Sequence, residues 1–269
     1  PTLSGQRRGR LGDGPLAHRR PLGAQLPEGG QAPAATGGGP GAPQGRRALP
    51  QAEKRLGMHI EVLHFVEGAK KGRGVTVVID VFRAFSVACY AYARGAKRIV
   101  PMAGIEEALA LKKAHPEYVA MGERHGRMVE GFDFGNSPTE ISQRDVRGKT
   151  LVHTTSAGTQ GLTKASQADV VLTGSLVNAS AICAYIESLA PERVSIVRMG
   201  YDARERCAED DLCAEILRAR LSGESYDVSG VREQLRSAPA AKKFFDPEAT
   251  WAPEGDFDLC TDVDRFGFV

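Results

Sequence analysis

Val75-Thr76-Val77-Val78-Ile79-Asp80-Val81-Phe82-Arg83 is the stretch that decides the fold class. Its first five residues are β-branched, with no polar/apolar alternation. That pattern belongs to a strand buried on both faces, as in a parallel sheet covered by helices. Asp80 ends the run. From there to about Arg94, Ala84, Val87, Ala88 and Ala91 recur at helical spacing, and Gly95 is a natural stop.

The same strand–loop–helix reading repeats downstream. Met58 to Phe65, Arg98 to Pro101, Tyr118 to Met121, Thr150 to His153, Asp169 to Leu172 and Arg193 to Val197 read as strands. Ile105 to His115, about 158–166, Ala179 to Leu189 and about Glu209 to Leu221 read as helices. Such alternation predicts an α/β protein, a three-layer α/β/α arrangement around a mostly parallel sheet. Residues 222–269 are less regular and suggest short helices and a final strand-like edge.

Residues 1–57 are of another kind. They hold 13 Gly and 8 Pro and lack Ile, Val, Phe, Tyr, Trp and Cys, so they cannot bury enough apolar surface to offset their conformational entropy. A disordered basic tail is expected, with the functional domain over 58–269. Met58 is the expected natural start, the first 57 residues being upstream sequence read through. The tail carries nine of the 35 Lys/Arg and three of the 33 Asp/Glu, which leaves 26 basic and 30 acidic residues in 58–269. The mildly acidic remainder argues against a nucleic-acid footprint. No run approaches the roughly 18 apolar residues of a membrane helix. Five cysteines without a Cys-x-x-Cys pair, and no secretory signal, point to free thiols in the cytoplasm. Homo-oligomerisation is left open.

Sites in open α/β sheets form outside the carboxyl ends of the strands. Asp80 stands at such an end, as a Mg²⁺ ligand, as a nucleophile toward phosphorus, or as a plain helix cap. Arg83, near a helix start where a cation does not help its own helix, suits an anionic partner, or an ion pair with Asp80. Glu123 and Arg124 sit in the glycine-flanked segment Gly122 to Gly126. Asp133, Asn136 and Ser137 sit in a second glycine loop, Gly131 to Pro138. Thr154-Thr155-Ser156-Ala157-Gly158-Thr159 offers hydroxyls and amides to an anion at a helix start, though it is no Walker A loop. Glu209 and Asp210 open a later helix, which also suits its dipole. Carboxylates, arginines and hydroxyl-rich glycine loops together point to a metal-dependent enzyme of small phosphate esters. A phosphometabolite-binding module is the alternative.

The order and wording of these segments resemble the 2-phosphosulfolactate phosphatase family. The matching pieces are Val78 to Ala84, Gly122 to Arg124, Gly131 to Pro138, Gly148 to Thr155 with Gly158-Thr159, Glu209 to Ala214, and Asp258 to Asp264. The resemblance covers about residues 58–269. It implies an α/β/α fold, Mg²⁺ as cofactor, and hydrolysis of 2-phospho-3-sulfolactate to 3-sulfolactate and phosphate, a step of coenzyme M biosynthesis. On that reading Asp80, Glu123 and Asp210, with Glu209, supply metal ligands or a general base. Arg83 and Arg124 clamp phosphate or sulfonate. Asp133, Asn136, Ser137, Thr154, Thr155, Gly158 and Thr159 form the anion cradle. The chain departs from the family's usual pattern at Phe85, Ala157 and Glu215, in places expected to touch the substrate surround.

Overall fold

The computed structural model describes residues 57–269. The tail expected over 1–57 therefore lies outside the described residues, Gly57 excepted. The first half of the chain gives β1 (His59–His64), α1 (Phe65–Lys71), β2 (Val75–Ile79), α2 (Ala84–Ala93), β3 (Arg98–Pro101) and α3 (Ile105–Ala114). Next come β4 (Val119–Arg124), β5 (Arg127–Met128), α4 (Pro138–Ser142), β6 (Thr150–Thr154), α5 (Gly158–Lys164) and β7 (Val170–Gly174). A 3₁₀ turn (Leu176–Asn178) leads into α6 (Ala179–Leu189), β8 (Arg193–Arg198) and α7 (Ala208–Leu221). The chain continues through α8 (Val231–Arg236), a second 3₁₀ turn (Pro239–Phe244) and α9 (Glu254–Cys260).

The α/β reading holds, and the strands divide between two sheets. One has the order β1-β8-β2-β7, all parallel; the other has the order β3-β6-β4-β5, parallel except for the β4–β5 hairpin. Every residue of β2 is buried, as its β-branched run requires. Val75, Val77 and Ile79 pack toward Ile182 and Ile186 of α6 and Ile216 and Leu217 of α7. Val78, on the opposite pleat, packs with Ala69 of α1, Phe85 of α2 and Ala165 beyond α5. Helix α2 joins the sheets. Its start packs against β2, while Val87, Tyr90 and Ala91 pack with Leu151 of β6. Eight of its ten residues are buried and none is charged, the composition of a helix covered all round.

Two elements differ from expectation. The segment Gly122 to Arg124 is not a loop after β4 but its end, because Gly122 pairs with Thr154 of β6. Gly122 has φ +143, and a Cβ there would lie 1.9 Å from the Thr154 carbonyl oxygen, so only glycine lets the strands meet. At the other end of the chain, residues 261–269 form no strand. Asp264 and Phe266 donate backbone hydrogen bonds to Leu176 and Val177, and the Phe266 ring packs edge-on to Tyr90.

Candidate functional site

Four carboxylates from three distant segments meet at one cleft of about 250 Å³. Asp80 follows β2, Glu123 ends β4, and Glu209 and Asp210 open α7. All four are at least nine-tenths buried. Backbone amides hold three of them. Asp80 accepts from Ala84 N–H through Oδ1 (3.2 Å) and from Gly158 N–H through Oδ2 (2.8 Å). Asp210 accepts from Val81 N–H (2.9 Å) and Gly200 N–H (2.8 Å). Glu123 accepts from Gly126 N–H (2.6 Å), Ser156 N–H (2.7 Å) and Ser156 Oγ (3.1 Å). Glu209 Oε2 is buried with no hydrogen-bond partner.

Crowding shows in the acidities. Burial, and then the Glu123 charge, push Asp80 up to about 7. Burial, then Asp80 and Glu209, raise Asp210 well above the usual carboxylate range. Glu209 is raised too, by burial first. These are hard oxygen donors with unrelieved mutual repulsion and one orphaned oxygen, a set suited to a hard cation. Among the described residues, no three His, Cys, Asp or Glu side chains close on a common point. Mg²⁺ does not need that, since it is held by one or two carboxylates together with water and substrate phosphate.

The two arginines part company. Arg83 lines the cleft, yet its guanidinium is largely engaged. Nη1 donates to Asp256 (2.7 Å) and the Trp251 carbonyl (2.9 Å), and Nη2 to the Gly126 carbonyl (3.0 Å). Its carboxylate partner is thus Asp256, which is fully buried and also accepts from Ser137 Oγ and Thr139 N–H. Arg124 follows Glu123 in a strand, so the two side chains point to opposite faces. Arg124 reaches away from the cleft to the Ala103 carbonyl (3.0 Å) and Thr154 Oγ1 (2.9 Å).

The other expected residues divide likewise. Asn136 lines the cleft, its Oδ1 meeting Nε2 of His153 (3.0 Å), a ring that burial keeps neutral by lowering its pKa to about 3. Asp133 lies outside, accepting from Ala120 N–H and pairing with Lys112. Ser137 caps α4 and binds Asp256. Thr155 and Thr159 satisfy each other: Thr155 N–H donates to Thr159 Oγ1 (2.8 Å), and Thr159 N–H to Thr155 Oγ1 (3.0 Å). Thr154 turns to Arg124. What this loop gives the cleft is backbone. Gly158 donates to Asp80, and a Cβ there would press on Asp80 Oδ2 at 2.8 Å. Of the three departures from the family pattern, Ala157 alone lines the cleft; Phe85 is buried in the core and Glu215 is exposed.

Sequence reasoning missed Lys243, Trp251, Cys207 and the Tyr201–Asp202 pair, all of which line the cleft. They lie in irregular segments where no periodicity marks a residue as inward-facing. Lys243 is half-buried; burial and the Arg83 charge lower its pKa, while Glu209 and Asp80 oppose the shift.

A family model for 2-phosphosulpholactate phosphatase matches residues 63–250. The probable 2-phosphosulfolactate phosphatase of Gloeobacter violaceus is 37% identical over 202 residues, 74% of this chain and 79% of that protein. The protein so named in Carboxydothermus hydrogenoformans is 41% identical over 180 residues, 66% of this chain and 70% of its own. That of Bacillus subtilis is 31% identical over 191 residues, covering 70% and 82%.

Proposed function

The chain belongs to the 2-phosphosulfolactate phosphatase family, and we propose that it hydrolyses 2-phospho-3-sulfolactate to 3-sulfolactate and inorganic phosphate with Mg²⁺ as cofactor. The observation that carries this is the meeting of Asp80, Glu123, Glu209 and Asp210 in one cleft, with Lys243 among its lining residues. Four buried carboxylates repel one another and would repel an anionic substrate. A divalent cation reverses both effects.

One or two of Asp80, Glu209 and Asp210, with water and the substrate phosphate, would hold the metal, which when bound neutralises charge on the phosphoryl oxygens. The protein's own part is to place and move protons. Hydrolysis adds water to phosphorus, breaks the phosphorus–ester oxygen bond and returns a proton to the leaving oxygen. In the metal-free cleft the Asp80 carboxyl sits at about 7; a bound cation would lower it, leaving Asp80 ionised to take the proton of the attacking water and pass it to the leaving oxygen. Asp80 and Asp210 interact, so their protons belong to the pair. Amide hydrogen bonds fix both carboxylates before substrate arrives, so little reorganisation remains for the reaction.

The test is phosphate release from 2-phospho-3-sulfolactate and from a panel of other small phosphate esters, with Mg²⁺ or with EDTA. Metal-dependent turnover favouring the sulfonate is expected. Binding without turnover of any ester would leave a phosphometabolite-binding protein instead.

A further inference from the structure

The basic side chains of the cleft are not alike. Arg83 is matched by Asp256 at 2.7 Å, and His125 stands 2.8 Å from Asp202. Lys243 forms no ion pair and no hydrogen bond among the described residues; its ammonium lies over the ring of Phe244, 5.1 Å from the ring centre. It feels Glu209 and Asp80 through the cleft without pairing with either. Its position is fixed by its neighbours. Phe244 is 3% exposed and packs edge-on against Phe82, 5.1 Å between ring centres, next to Arg83 in the chain. The 3₁₀ turn Pro239–Phe244, anchored by the buried Phe244, thus carries Lys243 at the lining of the cleft.

We propose that the Lys243 ammonium binds a tetrahedral oxyanion of the substrate, its phosphoryl or its sulfonate group, inside the cleft. This deepens the function proposed above and rests on it. A partly desolvated ammonium without a partner costs free energy that a bound anion returns. Its three donors rotate freely, which suits a tetrahedral group better than the planar fork of arginine does. A counter-charge serving only the carboxylates would be expected in direct contact with one of them, as Arg83 is with Asp256.

Titration calorimetry on the full chain in magnesium-containing buffer tests this, with inorganic phosphate and 3-sulfolactate as separate probes. Lys243→Met is expected to weaken at least one probe by roughly ten- to a hundredfold, the effect of deleting a charged hydrogen bond. The probe that suffers identifies the end of the substrate held. Lys243→Arg should recover part of the loss. Lys242→Met removes the same charge from the exposed neighbouring position and should leave both affinities within about twofold, since exposed charges are screened. Should the methionine variant not fold, Lys243→Gln carries the same test. Unchanged affinities in Lys243→Met, an equal loss in Lys242→Met, or a wild-type protein that binds neither probe would overturn the proposal. Turnover of 2-phospho-3-sulfolactate by the wild-type chain is scored separately, so a wrong substrate and a wrong role for Lys243 give different results.

Discussion

Replacing Asp80 by asparagine should stabilise the metal-free protein at alkaline pH and not at acid pH. Asp80 is 8% exposed, and its carboxyl rises from an ordinary 3.8 to about 7 in the fold. The folded pKa exceeds the unfolded one, so the wild-type protein is unpenalised below about pH 4 and loses stability as pH rises through 7. About three pKa units correspond to about 4 kcal/mol. Asparagine removes that penalty and adds a smaller one. One of its two polar atoms is an NH₂, which must face either Gly158 N–H at 2.8 Å or Ala84 N–H at 3.2 Å. It should turn the NH₂ toward the longer contact and lose about 1–3 kcal/mol there. The variant should therefore be more stable than wild type by roughly 1–3 kcal/mol at pH 8 and less stable at pH 4. The hydrogen-bond cost is the same at both ends, so the swing of about 3–4 kcal/mol between them depends on the charge alone. Urea denaturation of both proteins in EDTA, in half-unit steps from pH 4 to pH 8, measures it. A difference that stays flat across this range would show that Asp80 ionises freely in the fold and that the repulsion inferred in the cleft is absent. The same variant should lose turnover, so that stability rises as activity falls.

Chelation by EDTA should abolish phosphate release, and Mg²⁺ should raise the melting temperature of the wild-type protein but much less that of Asp210→Asn; equal shifts in thermal scans would remove Asp210 from the metal's surroundings. Gly122→Ala should cost roughly 3 kcal/mol or more, since it combines a positive φ with a clash against the Thr154 carbonyl; a normal denaturation midpoint would contradict the strand crossing described. Asp256→Asn should destabilise by about 3 kcal/mol by leaving Arg83 buried without its counter-ion, and Arg83→Met added to it should recover part of that loss; additive losses in a double-mutant cycle would show the two charges to be independent. Arg124→Lys should change the melting temperature more than KM, because its contacts are with Ala103 and Thr154 outside the cleft; steady-state kinetics with a raised KM and an unchanged melting temperature would place Arg124 at the substrate.

The strands and long helices were legible because burial on both faces leaves a strong mark, as in Val75–Ile79, and because α2 carries no charge at all. The acidic centre was legible for a related reason: Asp80, Glu209 and Asp210 occupy strand and helix ends, where topology says that sites gather. Arg124 shows where such reading stops. Glycines on either side suggested a loop, whereas pairing of Gly122 with Thr154 makes the segment a strand and turns neighbouring side chains to opposite faces. The Thr-rich loop shows another limit, since its hydroxyl pattern cannot reveal that Thr155 and Thr159 cap one another. Lys243 and Asp256 left no mark, because their burial arises from tertiary packing in a region without period.

The Arg83–Asp256 bond also bears on how the protein is made. Its partners stand 173 residues apart, and Trp251, which completes the same wall, lies 168 residues from Arg83. Translation at about 5–20 residues per second separates their appearance by on the order of ten seconds or more. Through that interval the growing chain can hold β2 and its helix, but the guanidinium has no counter-ion and the cleft has no far side. Chains interrupted before Asp256 should be inert however well their sheets have formed.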